Sequence, residues 1–188
     1  AKLWDLDLTD RNFTSAIWHG VDLNSSGTKL IRANFTSASL YGSNLSDANA
    51  TSAIFTSASM YDSNFSSADA TSATFVGADL KRSDFRSGTF ASADMNNSEM
   101  NGTNLSSANF KEAAFVGAGL NASVLTDGNF TDANFTQGIL TDAVMNSADF
   151  NGTDFSNSKL MNANLSSSWF VDSNFSDASL KDCTIAGA

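Results

Sequence analysis

The chain has 188 residues, with 20 Asp and Glu against 10 Lys and Arg, and its formal charge of −10 makes it a poor partner for a phosphate backbone, which is held by a surplus of Lys and Arg. One Cys excludes an intrachain disulfide and a cysteine-built metal centre, and no apolar run approaches the roughly 20 residues of a membrane span. A hydrophobic share of 41% argues against wholesale disorder, and 15 Phe beside 2 Tyr and 3 Trp point to rings buried on every side, since Phe has no polar atom to satisfy.

Read from the start, apolar residues recur every five positions as Leu3, Leu8, Phe13, Trp18 and Leu23. Residues 1–24 are therefore expected to form one N-terminal coil or cap in a shifted register, with Trp4 and Trp18 covering the open end of a core. Two extra residues separate Leu23 from Leu30, so 24–29 is expected to be a bulge or loop. From Leu30 to Ile185 every fifth residue is apolar, 32 positions in succession. The residue two before each, from Ala33 to Cys183, is always Ala, Ser, Gly, Thr or Cys. Residues 30–188 thus read as continuous repeats, and 1–188 as a single solenoid.

A five-residue period fits neither the 3.6 of an α-helix nor the 2 of a flat strand. A coil that turns a corner at every pentad brings these residues to one interior, with the small residue sharing the crowded space beside them. A longer period of 20 supports this. Phe35, Phe55, Phe75, Met95, Phe115, Phe135, Phe155 and Phe175 form one track, and Leu40, Met60, Leu80, Met100, Leu120, Leu140, Leu160 and Leu180 another. Four pentads per turn, like stacked over like, make a square coil. The predicted core ladder is Phe35, Phe55, Phe75, Phe115, Phe135, Phe155 and Phe175 with Leu40, Leu80, Leu120 and Leu160. Ala50 and Ala70 interrupt the aromatic tracks, which predicts a narrower or less well filled interior and lower local stability there.

The repeating units "ANFTS", "SNLSD", "ADLKR", "TNLSS" and "ADFNG" resemble the motif of the pentapeptide-repeat family over roughly residues 28–188. The resemblance implies an all-β fold, a right-handed quadrilateral β-helix of about eight to nine coils. At about 4.8 Å per coil this is a rod of roughly 40 Å. It also implies a non-enzymatic scaffold, like the many bacterial and especially cyanobacterial members whose biochemical role is undefined. The alternative it carries is DNA mimicry, as in quinolone-resistance members that occupy the DNA site of gyrase.

Chemistry-bearing constellations are sparse. The only imidazole, His19, and the only thiol, Cys183, lie at opposite ends of such a rod, and Cys183 falls on a small inward position. No catalytic residue, cofactor or metal site is therefore assigned; Asp142 and Asp182 share a face but lack the compact oxygen loop of a calcium site. Asn-x-Ser/Thr triplets such as Asn34–Thr36 and Asn174–Ser176 read as products of the repeat rather than glycosylation signals. Tyr41, Tyr61 and Lys81 stand one coil apart on an outer row and are a candidate surface contact. Lys81, Arg82 and Arg86 sit among Asp79, Asp84 and Glu99, which reads as local ion pairing. Thr51 and Thr71 are followed in their row by Ala91 and Lys111, too irregular for a lattice-matching, ice-binding face.

Charge is uneven, −3 over residues 1–111 and −7 over 112–188, so a protein with a basic surface is the expected partner and the C-terminal half its docking side. The repeat runs to the last residue with no capping segment. Either the natural chain continues, or this end, with Leu180 and Ile185, docks on a copy of itself as an end-to-end homodimer. No signal peptide is evident and the chain starts at Ala1, so the compartment is open: cytoplasm or, if a leader is removed, periplasm or thylakoid lumen.

Overall fold

A computed structural model of the chain describes residues 5–188, so the expectation for Leu3 and Trp4 lies outside the described residues. Its ladder is set by one spacing. The residue before each apolar centre pairs in parallel with the residue 20 positions later: Lys29 with Asn49, Asn34 with Ile54, Ser39 with Ser59, Asn44 with Asn64, and so on to Asn164 with Thr184. Four such pairings per coil give four short sides, and the coils stack into a quadrilateral β-helix.

Each pentad places its backbone groups in the same way. The centre donates upward, Phe35 N–H to Ile54 O at 2.7 Å, and the corner repeats this, Ser37 N–H to Thr56 O at 2.9 Å. The outward residue bonds in the other direction, Ile54 N–H to Ala33 O at 2.9 Å. Ala38 N–H then closes the corner on Phe35 O at 2.9 Å. Stacking and the corner bond together satisfy the greater part of the polar backbone, with no lateral edge between the described coils.

The third residue of each pentad corner has a positive φ, between 53° and 71°, from Asp5 to Gly187, the turn at Ser25–Thr28 excepted. A four-residue turn closed by an i to i+3 bond with φ > 0 at its third position has the signature of a type II turn. Asp, Asn, Ser and Gly dominate there because short polar side chains and glycine tolerate this region. Arg32, Arg82, Glu112, Ala122 and Gln137 occupy it too, at φ between 54° and 61°, against the preference of an L-residue.

The interior is dry and columnar. Phe35, Phe55, Phe75, Phe115, Phe135 and Phe155 are fully buried, as are Leu40, Leu80, Leu120 and Leu160. Phe115 stacks on Phe135 at 4.5 Å and 3°, and Phe135 on Phe155 at 5.2 Å and 9°. Phe175 continues the column 4.9 Å beyond Phe155 and is only partly buried. Small-position hydroxyls from Ser43 on are satisfied in place, Ser43, Ser63 and Ser83 donating to the carbonyls of Trp18, Leu40 and Met60 at 2.8–3.0 Å, whereas the buried Thr28 hydroxyl has no partner among the described residues.

Ala50 and Ala70 leave space that a neighbouring side fills. In those two coils the side that elsewhere carries Leu45, Leu105 or Leu125 carries Phe65 and Phe85. Phe65 meets Phe55 and Phe75 edge-on at 5.8 Å and stacks on Phe85 at 5.3 Å. From Phe90 onward the aromatic column moves to the alanine side, Phe85 contacting Phe90 at 5.1 Å. Rings placed a quarter-turn away thus take up part of the space beside these alanines.

At the N-terminal end the pairings span 22 residues: Asp7 with Lys29, Asn12 with Asn34, Ile17 with Ser39, Asp22 with Asn44. The two additional residues are taken up in a turn closed by Thr28 N–H to Ser25 O at 3.0 Å. The Asp5 carboxylate bonds the Ser25 hydroxyl and sits where a side chain on Gly27 would have to go. Trp18 packs edge-on against Phe13 at 4.7 Å and lies in the core column below Leu40.

Three substitutions test this packing by denaturant unfolding. Phe135→Ala is expected to cost about 3–5 kcal/mol. Ala70→Phe alone overpacks by about 1–3 kcal/mol, while combined with Phe85→Ala it recovers part of the loss, so the two changes are non-additive. Ala122→Gly relieves the positive-φ strain and raises stability by about 1 kcal/mol.

Candidate interaction surfaces

The asparagine before a centre is occupied by its own corner. Asn34 Oδ1 accepts the Thr36 backbone N–H at 2.9 Å and the Thr36 hydroxyl at 2.6 Å. Asn44, Asn104, Asn129 and Asn174 repeat this with Ser46, Ser106, Thr131 and Ser176. These Asx turns account for the Asn-x-Ser/Thr triplets: the hydroxyl and the amide are both used to set the bend.

A second asparagine pattern works between coils. Residues just after a centre, Asn96, Asn101 and Asn151, accept through Oδ1 the backbone N–H of Val116, Asn121 and Val171, each 20 positions on, at 2.7–3.0 Å. They clamp one corner to the next. Their signal in the sequence is an Asn directly after an apolar centre, and it is easily lost among the more frequent asparagines before one.

On the outer row, Tyr41 and Tyr61 lie parallel, 5.0 Å apart at 2°. His19 extends the stack below Tyr41 at 4.0 Å, and its Nε2 lies 2.6 Å from Ser39 Oγ. Sequence reading missed His19 because the inserted pair of residues hides its alignment with Tyr41. Lys81, next in the row, is bonded to Glu99 and 3.7 Å from Asp79. The hydrogen bond that Lys81 donates to the Glu99 carboxylate holds its ammonium above the usual lysine range.

The remaining cations of this cluster are engaged. Arg82 forks onto Asp62 at 2.8 and 2.6 Å, and Arg86 onto Asp84 at 2.9 and 2.6 Å. Arg32 does the same with Asp10, 2.7 Å at both contacts. The Arg82 fork lowers the Asp62 carboxyl, and the Arg32 fork lowers Asp10. For Asp84 burial pushes upward, but the bonds from the Arg86 side chain and backbone N–H win and the group is lowered. Such exposed pairs contribute little to stability; their effect is to neutralise this part of the surface.

Beyond Lys111 the balance reverses. Asp132, Asp149, Asp154, Asp172 and Asp177 form no ion pair among the described residues, and Lys181 is drawn to Asp182 at 3.9 Å. The carboxylates stand mostly at corners, where their side chains point to water. No group of three or more His, Cys, Asp or Glu among the described residues is gathered to hold a metal ion. Cys183 donates to Leu160 O at 2.8 Å, and burial pushes its thiol up, so it is not an activated nucleophile.

The C-terminal coil is a distinct surface. Phe170, Phe175, Leu180 and Ile185 floor a concavity of about 320 Å³ with Leu165 and Ala188. Leu180 is 40% and Ile185 63% exposed, and Trp169 and Val171 extend the apolar area onto the adjoining side. Asp172, Asp177 and Asp182 occupy three of its corners.

The family model of pentapeptide repeats matches residues 26–56, 55–86, 89–121, 128–166 and 158–188, with 8 copies in all. The chain belongs to the pentapeptide-repeat family. Its β-helix is accordingly right-handed. Among solved structures it is similar to HetL, a pentapeptide-repeat protein involved in heterocyst differentiation regulation in the cyanobacterium Nostoc. That match has 23% identity and a TM-score of 0.52, covering 98% of this chain and 89% of HetL. It is also similar to QnrB1, a plasmid-mediated fluoroquinolone resistance protein, at 16% identity and a TM-score of 0.71, covering 94% of this chain and 89% of that one. No curated protein matches it. At these identities the likeness is one of fold. Members of the family are scaffolds and interaction modules, and this pentapeptide-repeat chain shares their architecture from its first described coil to its last.

The arginine forks yield a titration test. Because the Asp10, Asp62 and Asp84 carboxyls are held below the ordinary 3.8, their pairs stabilise the fold above that pH. That contribution is expected to be lost as pH falls through the depressed folded values. Carboxyl titration by NMR should find Asp62 below 3.8 in the parent chain and back near it in Arg82→Ala. An unchanged Asp62 would remove the fork as the cause.

Proposed function

We propose that this pentapeptide-repeat protein is a rigid, non-catalytic scaffold whose C-terminal half docks a partner protein through a basic surface. One observation carries the reading. Lys29, Arg32, Lys81, Arg82 and Arg86 of the N-terminal half lie against carboxylates, whereas Asp132, Asp149, Asp154, Asp172 and Asp177 have no ion pair among the described residues, on a surface that the ladder holds fixed. A preorganised field of one sign steers an oppositely charged partner and loses little entropy when it binds. The stacked Tyr41 and Tyr61 beside Lys81 add a second, neutral contact area on an adjoining side.

The test is a matched pair of baits. A variant carrying Asp132→Asn, Asp154→Asn, Asp172→Asn and Asp177→Asn keeps the core untouched, and each amide still accepts hydrogen bonds. A partner captured by the parent chain should bind the variant at least several-fold more weakly and dissociate as salt is raised. Equal, salt-insensitive capture would remove the reading.

DNA mimicry toward gyrase is the second reading, supported by the same acidity and by the fold shared with QnrB1. A supercoiling assay separates the two. Inhibition of gyrase, or its protection from a quinolone, at micromolar protein would favour mimicry; neither effect leaves the scaffold.

The apolar end formed by Phe170, Phe175, Leu180 and Ile185 supports self-association end to end. In a two-fold arrangement Asp172, Asp177 and Asp182 would face their own copies, so such a dimer should strengthen as salt screens them. Light scattering at tens of micromolar and rising salt reads this, and a monomer throughout would dismiss it.

A further inference from the structure

The chain has 5 methionines, and four of them, Met60, Met95, Met100 and Met145, are apolar centres fully buried in the columns. The fifth, Met161, stands directly after the centre Leu160 and is 37% exposed. Its place in the pentad decides this. The same corner row carries Tyr41, Tyr61, Lys81, Asn101, Asn121 and Thr141 in earlier coils. Tyr41, with a coil on either side of it, is 36% exposed. The corner turns the side chains of this row outward, and a methionine there presents its thioether to water.

The main chain around Met161 is engaged in the ladder. Its carbonyl accepts Asp142 N–H at 2.9 Å, and Ala163 N–H closes the corner on Leu160 O at 2.9 Å. Neither bond involves the sulfur. On the adjoining side, one coil below, Val144 is also exposed and pairs in the ladder with Val124. The thioether therefore borders an apolar stretch of an otherwise polar exterior.

We infer that Met161 is a site of reversible oxidation by peroxide, converted to the sulfoxide in the folded protein while the four core methionines are shielded. A sulfur lone pair attacks one oxygen of hydrogen peroxide. The O–O bond breaks as the S–O bond forms, and the departing hydroxide takes the proton of the transferred oxygen and leaves as water. The thioether loses two electrons and the peroxide gains them. A dithiol reductant, acting through a methionine sulfoxide reductase, reverses the step. Two electrons and two protons then remove the oxygen as water, and the dithiol becomes a disulfide. The same oxidation at Met60, Met95, Met100 or Met145 places a polar sulfoxide in a dry column and requires the rung to open first. At Met161 it changes only the exterior, so the rod survives the cycle. The oxidised corner offers a hydrogen-bond acceptor where the reduced one offers an apolar contact.

The experiment exposes the folded full chain to dilute hydrogen peroxide and follows oxygen uptake at each methionine by peptide mass mapping. The same time course in urea supplies the open-chain reference. In the native protein Met161 should oxidise at least about ten-fold faster than any core methionine, and in urea the five rates should converge. The urea unfolding midpoint of the singly oxidised protein should match that of the parent. A methionine sulfoxide reductase with dithiothreitol should return Met161 to the thioether. In Met161→Leu, methionine oxidation of the folded chain should fall by the same factor. Oxidation of a core methionine at the rate of Met161, a native ratio that persists in urea, a lowered midpoint after single oxidation, or a sulfoxide that the reductase leaves in place would each overturn the proposal.

Discussion

The structure depends on a single constraint: from Lys29 onward every coil consumes 20 residues, so that a side chain meets its own kind one coil above. A pairing offset of 20 brings each outward residue to its partner, each centre to its column and each corner carbonyl to the N–H that needs it. Within the uninterrupted repeat, a slip by one or two residues would set small side chains against large ones and leave backbone donors unpaired. The corner enforces the count. A turn that closes on its own fourth residue, with the third in the left-handed region, bends the chain once per pentad, and four bends bring it back over itself.

Because each coil touches only its neighbours, stability accumulates by rungs rather than through one central core. This permits local exchanges that a globular core would resist. Phe65 and Phe85 move onto a side that elsewhere holds Leu because Ala50 and Ala70 stand on the next side, and the aromatic column then crosses over at Phe90. Each side of the coil is free to change residue so long as its neighbours along the column and across the interior still pack against it. The polar exterior is built in a similar way, with asparagines serving corners both within a coil and between coils.

Much of the architecture was legible in the sequence because period and spacing are linear properties. The unbroken run from Leu30 to Ile185 and the 20-residue recurrence of Phe and Leu lead to square coils before any coordinate is seen. What escaped depends on relations between sides. Ala50 and Ala70 read down one track show only small residues, and the adjoining track has to be read with them to see that Phe65 and Phe85 stand beside them. His19 was hidden from its stacking partner Tyr41 by the two extra residues, and the corner clamps of Asn101 and Asn151 need the next coil to have a meaning. The surface is harder still, because a ladder that satisfies its backbone internally leaves the outward positions free to carry almost any polar residue.

The inserted pair between Leu23 and Leu30 is informative in this respect. The ladder on either side of it keeps four pairings per coil, at an offset of 22 across it and 20 afterwards, and the excess is confined to a turn tied down by Asp5 and Ser25. Length can therefore be added at a bend without disturbing the stack within. A tube of this kind tolerates excursions at its vertices while its bore stays the same, so new peptide grafted at a vertex would be displayed at a fixed height and bearing on an unchanged shaft.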